Sequence, residues 1–339
     1  MNLHTAMQMV RGGRLPLFRK LSGLVQAAEA QSFYAAASSA GLLRTLAAGP
    51  LDARAVALQL GLDAEAAGPT VAAWLDVGVA VGALSRRDGA YGLHSDLARG
   101  LALPENDDLA AMMEEVGTLH HRLVLDSPAL LRAGQRLRLA DQDGEVIARS
   151  SRALEPFVQE AIDEVLPRQG RLRLLEVGCG SGTHVRHALL RNPELEVLAL
   201  ELQAEVAQAA RRNLAAWGLA ERCRVQSGDF RELALEGGFD LLTLHNNIYY
   251  FPMSDRVDLL RRARGMLRPG GRILLTTACP GGSAPIQVLH LWGLMTQGAG
   301  PLPSPEEMKA QLQEAGFGEL QAKNRMAPLD SFWSFSGTA

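Results

Sequence analysis

The chain has 339 residues, of which 47% are hydrophobic and 21% are charged, and its formal net charge is −3. This length is too great for one small hydrophobic core and favours two domains. The small negative charge argues against a large nucleic-acid footprint, and no apolar run reaches the roughly 18 residues that a membrane span needs.

The N-terminal stretch predicts no secretory signal. Its basic residues, among them Arg11 and Arg14, are not followed by an apolar segment. The three cysteines, Cys179, Cys223 and Cys279, are widely separated and form no CxxC pair. Because such cysteines build neither a disulfide framework nor a zinc site, we expect a cytoplasmic, reducing location.

The first helical pattern runs from Leu17 to Ala48, is broken near Gly41 and ends at Gly49-Pro50. It is rich in alanine and leucine, and it offers more apolar surface than a module of this size needs for its own core. We therefore expect a homodimer, with an interface well above about 1,000 Å².

Two short helices and a hairpin follow. Asp52 begins the first helix and Asp63 the second, both good capping residues. Pro69 lies inside the second stretch, so that helix is expected either to kink or to restart there. Two strand-like runs flank Arg86–Gly89 and predict a hairpin. Helix, helix and hairpin in this order outline a winged helix.

A winged helix raises DNA binding as an alternative function. The second helix would be the recognition helix, but its first residues, Ala64–Pro69, include no Arg, Lys, Asn or Gln to contact base edges. Its acidic residues would also repel phosphate, and only Arg86 and Arg87 at the hairpin tip favour DNA. We therefore expect no nucleic-acid partner.

A set of linking helices comes next. Leu109–Leu125 has a helical pattern that contains His120 and His121, and Ser127-Pro128 is expected to open another helix. Ser151–Leu166 forms a further helix that leads into the second domain.

The second domain begins with a strand and a glycine-rich turn. Leu172–Val177 has the length and branching of a buried strand, and Gly178, Gly180 and Gly182 follow it directly. Glycines let the backbone bend tightly and let a ligand approach the main chain. A dinucleotide fingerprint would place its third glycine at position 183, where the chain has Thr183.

Three acidic residues follow three successive predicted strands. Glu176 stands two residues before the first glycine, where a carboxylate suits a ligand that carries an ammonium group. Glu201 ends the run Val197–Leu200, the position from which an acid in a doubly wound sheet contacts ribose hydroxyls. Asp229 follows the run Cys223–Val225, where it could meet an adenine amino group.

The E-x-G-x-G-x-G loop and these acids resemble the S-adenosylmethionine site of class I methyltransferases. Phe239–Phe251 resembles the fourth strand of that family and the turn after it, and Leu259–Thr277 resembles its next helix and fifth strand. The resemblance extends from Leu172 to the C-terminus. It specifies the cofactor, S-adenosyl-L-methionine, and leaves the acceptor open.

The resemblance implies an α/β fold with a Rossmann-like seven-stranded methyltransferase sheet, preceded by a mostly helical winged-helix dimerisation domain as in small-molecule O-methyltransferases. The expected divisions are a dimerisation domain at 1–100, linking helices that form part of the substrate pocket at 101–168, and a donor-binding domain at 169–339.

The same resemblance implies the site residues. The residues expected to bind the donor are Glu176, Gly178, Gly180, Gly182, Glu201, Leu202, Asp229, Phe230 and His245. Those expected in the substrate pocket are His120, His121, Asn246, Tyr250, His290 and Trp292. Because His120 and His121 are neighbours on a helix and cannot share one face, at most one of the two is expected to enter the pocket. The residues expected to act in catalysis are His245 and Tyr249.

Methyl transfer from a sulfonium mainly requires donor and acceptor to be aligned, and a base is needed only for a protonated nucleophile. Tyr249 falls where related O-methyltransferases often have a histidine, and a tyrosine near pKa ~10 is a poor base at neutral pH. His245 is then the nearby group that titrates near neutrality. No close ligand spacing supports a metal between His245 and His290 or His120, so none is expected.

We therefore predict a cytoplasmic, homodimeric methyltransferase that acts on a small molecule, with O-methylation favoured, in specialised or natural-product metabolism. Methylation of carbon, nitrogen or sulfur by the same fold remains an alternative. A regulator that binds S-adenosylmethionine without catalysis is a second alternative, which a pocket filled by side chains would favour.

Overall fold

The computed structural model describes residues 12–139 and 142–339, together with Met7 and Val10. Arg11, part of the basic N-terminal stretch, lies outside them. The chain divides into two compact units: the described residues up to Arg122 with Asp143–Ala153, and the described part of Leu123–Gln142 with Leu154–Ala339. The helices between residues 101 and 168 are distributed over both units, and the three-part division expected from the sequence stays a prediction.

The first unit opens with four helices: α1 (Arg14–Ser39), α2 (Leu42–Ala47), α3 (Ala53–Gln59) and α4 (Ala64–Ala80). Gly41 separates the first two at a φ of 69°, which confirms the predicted break. The Asp52 and Asp63 carboxylates accept backbone hydrogen bonds at the starts of α3 and α4, as expected of capping residues. Pro69 lies inside α4, which is one helix and does not restart there.

A three-stranded sheet completes the predicted hairpin: β1 (Leu51–Asp52), β2 (Leu84–Arg87) and β3 (Ala90–Leu93), in the order β1-β3-β2. Asp88 and Gly89 both have positive φ, 48° and 82°, at the two-residue turn between β2 and β3. The hairpin is thus confirmed, while its assignment to a winged-helix domain stays a prediction.

The linking helices are α5 (Asp96–Ala102), α6 (Asp107–Glu115), a π-helical turn (Val116–His120), α7 (His121–Ala133) and α8 (Gly144–Ser150). The expectation that Ser127-Pro128 opens a helix is wrong, since α7 continues through both residues. The Ser127 hydroxyl donates to the Leu123 carbonyl, 2.5 Å away, one turn back in the same helix. Within the first unit, the Arg149 guanidinium joins α8 to Asp107 and Glu114 on α6, at 2.8 and 3.2 Å.

The second unit is built on a seven-stranded sheet in the order β6-β5-β4-β7-β8-β10-β9. The strands are β4 (Leu172–Val177), β5 (Leu195–Glu201), β6 (Cys223–Ser227), β7 (Phe239–His245), β8 (Leu267–Ala278), β9 (Gly318–Asn324) and β10 (Phe332–Thr338). The first five strands in chain order pair in parallel, and β10 lies antiparallel between β8 and β9. This arrangement confirms the predicted Rossmann-like methyltransferase sheet.

Helices cover both faces of this sheet, as a mostly parallel sheet requires. They are α9 (Glu155–Val165), α10 (Thr183–Arg191), α11 (Ala204–Ala216), α12 (Arg256–Met266) and α14 (Pro305–Glu314); a further helix, α13 (Ala284–Met295), follows β8 in the chain. Side chains of α9, α10 and α11 pack into one hydrophobic core, and those of α12 and α14 into another. Across the described ranges, no helix combines the length and the apolar character needed to cross a membrane.

Candidate functional site

The glycine-rich loop leaves the carboxyl end of β4, where ligands bind in open α/β sheets. Gly178, Gly180 and Gly182 have φ values of 77°, 53° and 86°, a region that L side chains rarely adopt. A Cβ on Gly178 would lie 2.6 Å from the Asn247 amide nitrogen, whereas a Cβ on Gly180 would meet nothing within 4 Å. The loop thus packs on the protein at Gly178 and presents open backbone at Gly180.

Two sets of hydrogen bonds hold the loop. The amides of Gly178 and Cys179 donate to the Leu200 carbonyl on β5, at 2.9 and 2.8 Å. On the other side, the Asn247 side-chain amide donates to the Val177 carbonyl at 2.5 Å. The loop is therefore fixed between the end of β5 and the turn that follows β7.

Glu201 lies at the end of β5 with its carboxylate against the loop. Its two oxygens accept from the Gly180 amide at 3.0 Å and from the Gln203 amide at 3.1 Å. A carboxylate has about four lone-pair positions, so two remain for ligand hydroxyls. Leu202 follows with 60% of its surface exposed. The open backbone is at Gly180, the carboxylate with remaining acceptor positions is Glu201, and the exposed apolar side chain is Leu202. These three features suit the adenosine part of S-adenosylmethionine.

Asp229 and Phe230 follow β6. Asp229 accepts from the Arg231 backbone amide at 2.8 Å and from the Arg231 guanidinium at 2.6 Å, and this hydrogen bonding holds the pKa of Asp229 below its usual range. Phe230 is buried in the core, with the Arg262 guanidinium 5.2 Å above its ring. The ring of Phe230 is thus a core element, and the predicted donor contacts of both residues stay predictions.

Glu176 and His245 are more deeply placed than the sequence indicates. The Glu176 carboxyl is buried and accepts a short hydrogen bond from the Thr243 hydroxyl, and burial raises its pKa to about 8. The His245 ring is also buried: its Nδ1 lies 3.0 Å from the Thr276 hydroxyl and its Nε2 3.9 Å from a Glu176 oxygen. The His245 side chain is fully buried, and its predicted roles in catalysis and in donor binding stay predictions.

The turn after β7 carries the acceptor-side residues. Asn246 adopts a φ of 54°, uncommon for a residue with a side chain, and its amide donates to the Thr276 carbonyl at 2.8 Å. The Tyr249 and Tyr250 rings stack at 5.1 Å, and Trp292 of α13 meets them edge-on at 6.0 and 5.3 Å. Three of the predicted catalytic or pocket residues thus form one aromatic cluster.

The remaining histidines are less tightly constrained. His290 is half-buried on α13, and its Nδ1 is buried with no hydrogen-bond partner among the described residues. His120 lies 3.4 Å from Glu115 within the first unit, and His121 is exposed. Their predicted places in a substrate pocket stay predictions.

The sequence reasoning missed His184. Its ring meets the His245 ring edge-on at 5.1 Å, and burial lowers the pKa of His184 to about 4. The available signal was its place in the first turn of the helix after the glycine loop.

The described part of the chain holds no alternative metal site. No group of three or more His, Cys, Asp or Glu side chains there has the geometry to hold a metal ion. An open depression of about 660 Å³, lined by Glu194, Arg222 and Arg224 among others, lies at the amino ends of β5 and β6, the end of the sheet opposite the glycine loop.

Comparison with known proteins agrees with this geometry. Residues 174–271 match the family described as a methyltransferase domain. This match assigns a methyltransferase domain to residues 174–271. The sheet order and the glycine-rich loop, Gly178–Gly182, called the donor loop below, agree with the class I S-adenosylmethionine-dependent methyltransferase fold.

Two curated relatives are demethylspheroidene O-methyltransferases. The protein from Cereibacter sphaeroides is 29% identical over 298 residues, an alignment that covers 83% of this chain and 76% of that protein. The protein from Rhodobacter capsulatus is 27% identical over 197 residues, or 56% of this chain and 48% of that protein. The second alignment thus spans about half of the relative's length.

Solved structures share the fold over nearly the whole chain. A structure of the mitomycin 7-O-methyltransferase superposes with a TM-score of 0.79 at 22% identity, covering 97% of this chain and all of that one. Human N-acetylserotonin methyltransferase in complex with S-adenosylmethionine superposes with a TM-score of 0.74 at 20% identity, covering 95% and 97%.

Proposed function

We propose that this protein transfers the methyl group of S-adenosylmethionine to an oxygen of a small-molecule acceptor in biosynthesis. The observation that carries the proposal is the Asn247 hydrogen bond to Val177, which joins the donor loop to the turn bearing the aromatic cluster. An apolar or aromatic acceptor held by Tyr250 and Trp292 would then lie beside the donor loop.

The bound donor supplies an electrophilic methyl group on a sulfonium. The chain's own part is alignment: the glycine loop and Glu201 hold the adenosine, and the turn after β7 limits where an acceptor can lie. His245 is fully buried, so the proposal does not depend on it as a base. The geometry therefore supports catalysis that rests mainly on alignment.

The proposal includes a homodimer. The N-terminal half of α1 exposes Leu17, Leu21 and Leu24, with 65%, 53% and 69% of their surfaces accessible. These residues are spaced by four and three positions, the spacing of an apolar seam between helices. A second copy would present the same stripe, which suits a twofold interface. A cytoplasmic location is also proposed, supported by three buried cysteines without disulfides.

The test is transfer of a ¹³C-labelled methyl group from S-adenosylmethionine to members of a panel of phenols and hydroxylated polycyclic or isoprenoid compounds. We expect a labelled product from at least one hydroxyl compound, with the ¹³C shift of a methyl ether. A methyl attached to carbon, nitrogen or sulfur would assign another acceptor atom. Tight donor binding with no product from hydroxyl, amine, thiol or activated-carbon acceptors would favour the non-catalytic regulator.

A further inference from the structure

A buried group of polar side chains lies beneath the glycine loop, and the donor contacts described above use none of it. Glu176 comes from β4, Thr243 and His245 from β7, Thr276 from β8 and His184 from α10. Glu176 and Thr243 are paired across the parallel strands β4 and β7. Four elements thus bring polar side chains together at one end of the sheet, and three of these side chains, Glu176, His245 and His184, are titratable.

Three polar atoms of this group are buried with no hydrogen-bond partner among the described residues: Glu176 Oε1, His245 Nε2 and His184 Nδ1. The other Glu176 oxygen accepts from Thr243, and His245 Nδ1 pairs with Thr276. Buried polar atoms without partners are costly, so their accumulation next to a ligand loop points to a ligand that supplies the missing partner.

The charge state follows from burial. Burial raises the pKa of Glu176 to about 8, an effect that the Thr243 hydroxyl partly opposes. Burial also lowers the pKa of His184 to about 4 and that of His245 well below its usual range. Burial thus favours the uncharged form of Glu176 and of both imidazoles, and His245 Nε2 lies 3.9 Å from the Glu176 carboxyl.

No neighbouring cation compensates Glu176. Within the described ranges, no Lys or Arg forms an ion pair with it. The other titratable groups around it are the Cys179 thiol on the loop, the Cys223 thiol on β6 and the Glu201 carboxylate at the end of β5; burial raises the pKa of both thiols. Neither neutral thiols nor a second acid stabilise the ionised form of Glu176, so its ionisation requires a bound cation.

We propose that Glu176 is a neutral carboxylic acid in the absence of donor and loses its proton to solvent when the ammonium group of the donor's amino-acid part binds at the loop. The O–H bond of Glu176 breaks, the proton passes to buffer, and the ammonium keeps its protons and donates to the new carboxylate. His245 stays neutral, because a buried imidazolium would have no counter-charge once the ammonium has taken the carboxylate. This inference rests on the donor site of the proposed function.

The test is isothermal titration of the full-length protein with S-adenosylhomocysteine in buffers of different ionisation enthalpy. With a Glu176 pKa of about 8, we expect release of about 0.9 proton per ligand at pH 7. Affinity should weaken nearly tenfold between pH 7 and pH 6, because the ligand must displace a proton held more firmly at the lower pH.

Glu176→Gln cannot ionise and should bind with no proton release and no change of affinity over this range. If that variant does not fold, Thr243→Val gives a second test. The Thr243 hydroxyl lowers the pKa of Glu176, so its removal should raise that pKa and extend proton release to higher pH. A matched ligand control is 5′-methylthioadenosine, which lacks the amino-acid part and should bind without releasing a proton.

Two results would overturn the inference. If the wild type binds S-adenosylhomocysteine with no proton exchange at pH 7, the inference about Glu176 is wrong, while the donor site still stands. Equal proton release by the wild type and Glu176→Gln assigns the proton elsewhere. A protein that does not bind S-adenosylhomocysteine at all would contradict the donor site itself, and this inference with it.

Discussion

At the scale of single residues, acids at equivalent strand ends have different surroundings. Glu201 is half-buried and accepts hydrogen bonds from two backbone amides. Glu176 is buried and accepts from one hydroxyl, and Asp229 is neutralised by Arg231. Their surroundings therefore differ: Glu201 is half-buried with two amide donors, Glu176 is buried with one hydroxyl donor, and Asp229 is paired with a guanidinium.

Replacing Glu201 with Ala should weaken binding of S-adenosylhomocysteine about 10- to 150-fold, since charge-assisted hydrogen bonds worth roughly 1.5–3 kcal/mol are lost. Glu201→Gln, which keeps one acceptor oxygen, should lose less. Calorimetric titration measures both. The matched control is Glu205→Ala, which removes an exposed acid four residues further along the chain, in α11. This variant should bind within about twofold of the wild type. Unchanged affinity in Glu201→Ala would contradict the ribose assignment.

His184 should make the protein acid-labile. In the unfolded chain a histidine binds a proton below pH ~6.5, whereas the buried His184 resists protonation until about pH 4. Stability from this group is thus complete above pH 6.5 and falls as the pH drops towards 4, by about 2 kcal/mol at pH 5.

The variant that tests this is His184→Phe, which keeps a ring against His245 and removes the titration. Urea unfolding at pH 7.5 and pH 5 should show a smaller stability difference in the variant than in the wild type. His121→Gln, which removes an exposed imidazole, is the matched control. An undiminished difference in His184→Phe would assign the acid lability to other groups.

At the scale of elements, the aromatic cluster depends on how α13 approaches the segment near Gly300. The Gly300 amide donates to the Tyr249 carbonyl at 2.9 Å. The buried Arg256 guanidinium donates to the carbonyls of Phe251 and Pro301, at 3.0 and 2.7 Å, and burial lowers its pKa to about 10. These bonds fix the aromatic turn to the chain that follows α13.

Gly293 in α13 permits the close approach. A Cβ there would lie 2.1 Å from the Gly300 carbonyl oxygen, a backbone atom that cannot rotate away. Gly293→Ala should therefore destabilise the protein by about 1–3 kcal/mol and lower its Tm by several degrees in a thermal scan.

The control is Gly265→Ala in α12, where a Cβ would meet nothing within 4 Å. That variant should be neutral or more stable by up to about 1 kcal/mol, since alanine is the better helix former. Equal Tm values for Gly293→Ala and Gly265→Ala would show that α13 can shift without cost.

At the scale of the whole molecule, the two compact units differ in what they leave exposed. In the second unit, helices cover both faces of the sheet, and the donor loop lies at one end of it. In the first unit, the apolar stripe of α1 at Leu17, Leu21 and Leu24 is left exposed by the residues that the structure describes. A contiguous exposed apolar face of this kind indicates a protein interface.

The double substitution Leu17→Glu with Leu24→Glu should convert the proposed dimer to a monomer, because four charges would face one another across the interface. Light scattering coupled to size exclusion at micromolar concentration measures the mass. Leu58→Glu, at a leucine of α3 that is also 65% exposed, is the matched control and should remain dimeric. A monomeric wild type would contradict the dimer.

The sequence by itself determined the order of elements and the donor loop. Apolar runs of strand length, capping residues such as Asp63 and the three glycines before α10 are local signals, because they act through the backbone of their own segment. The resemblance carried by these signals also predicted the seven-stranded sheet, which the structure confirms.

Only the tertiary structure decided what the side chains at the strand ends face. His245 was expected at an acceptor and is buried between Thr276 and Glu176. His184, which the sequence did not single out, packs against its ring. Trp292, distant in sequence, packs edge-on against the rings of Tyr249 and Tyr250. The physical reason is that burial and charge state depend on the neighbouring strands and helices, so the local sequence does not distinguish the buried Glu176 from the half-buried Glu201.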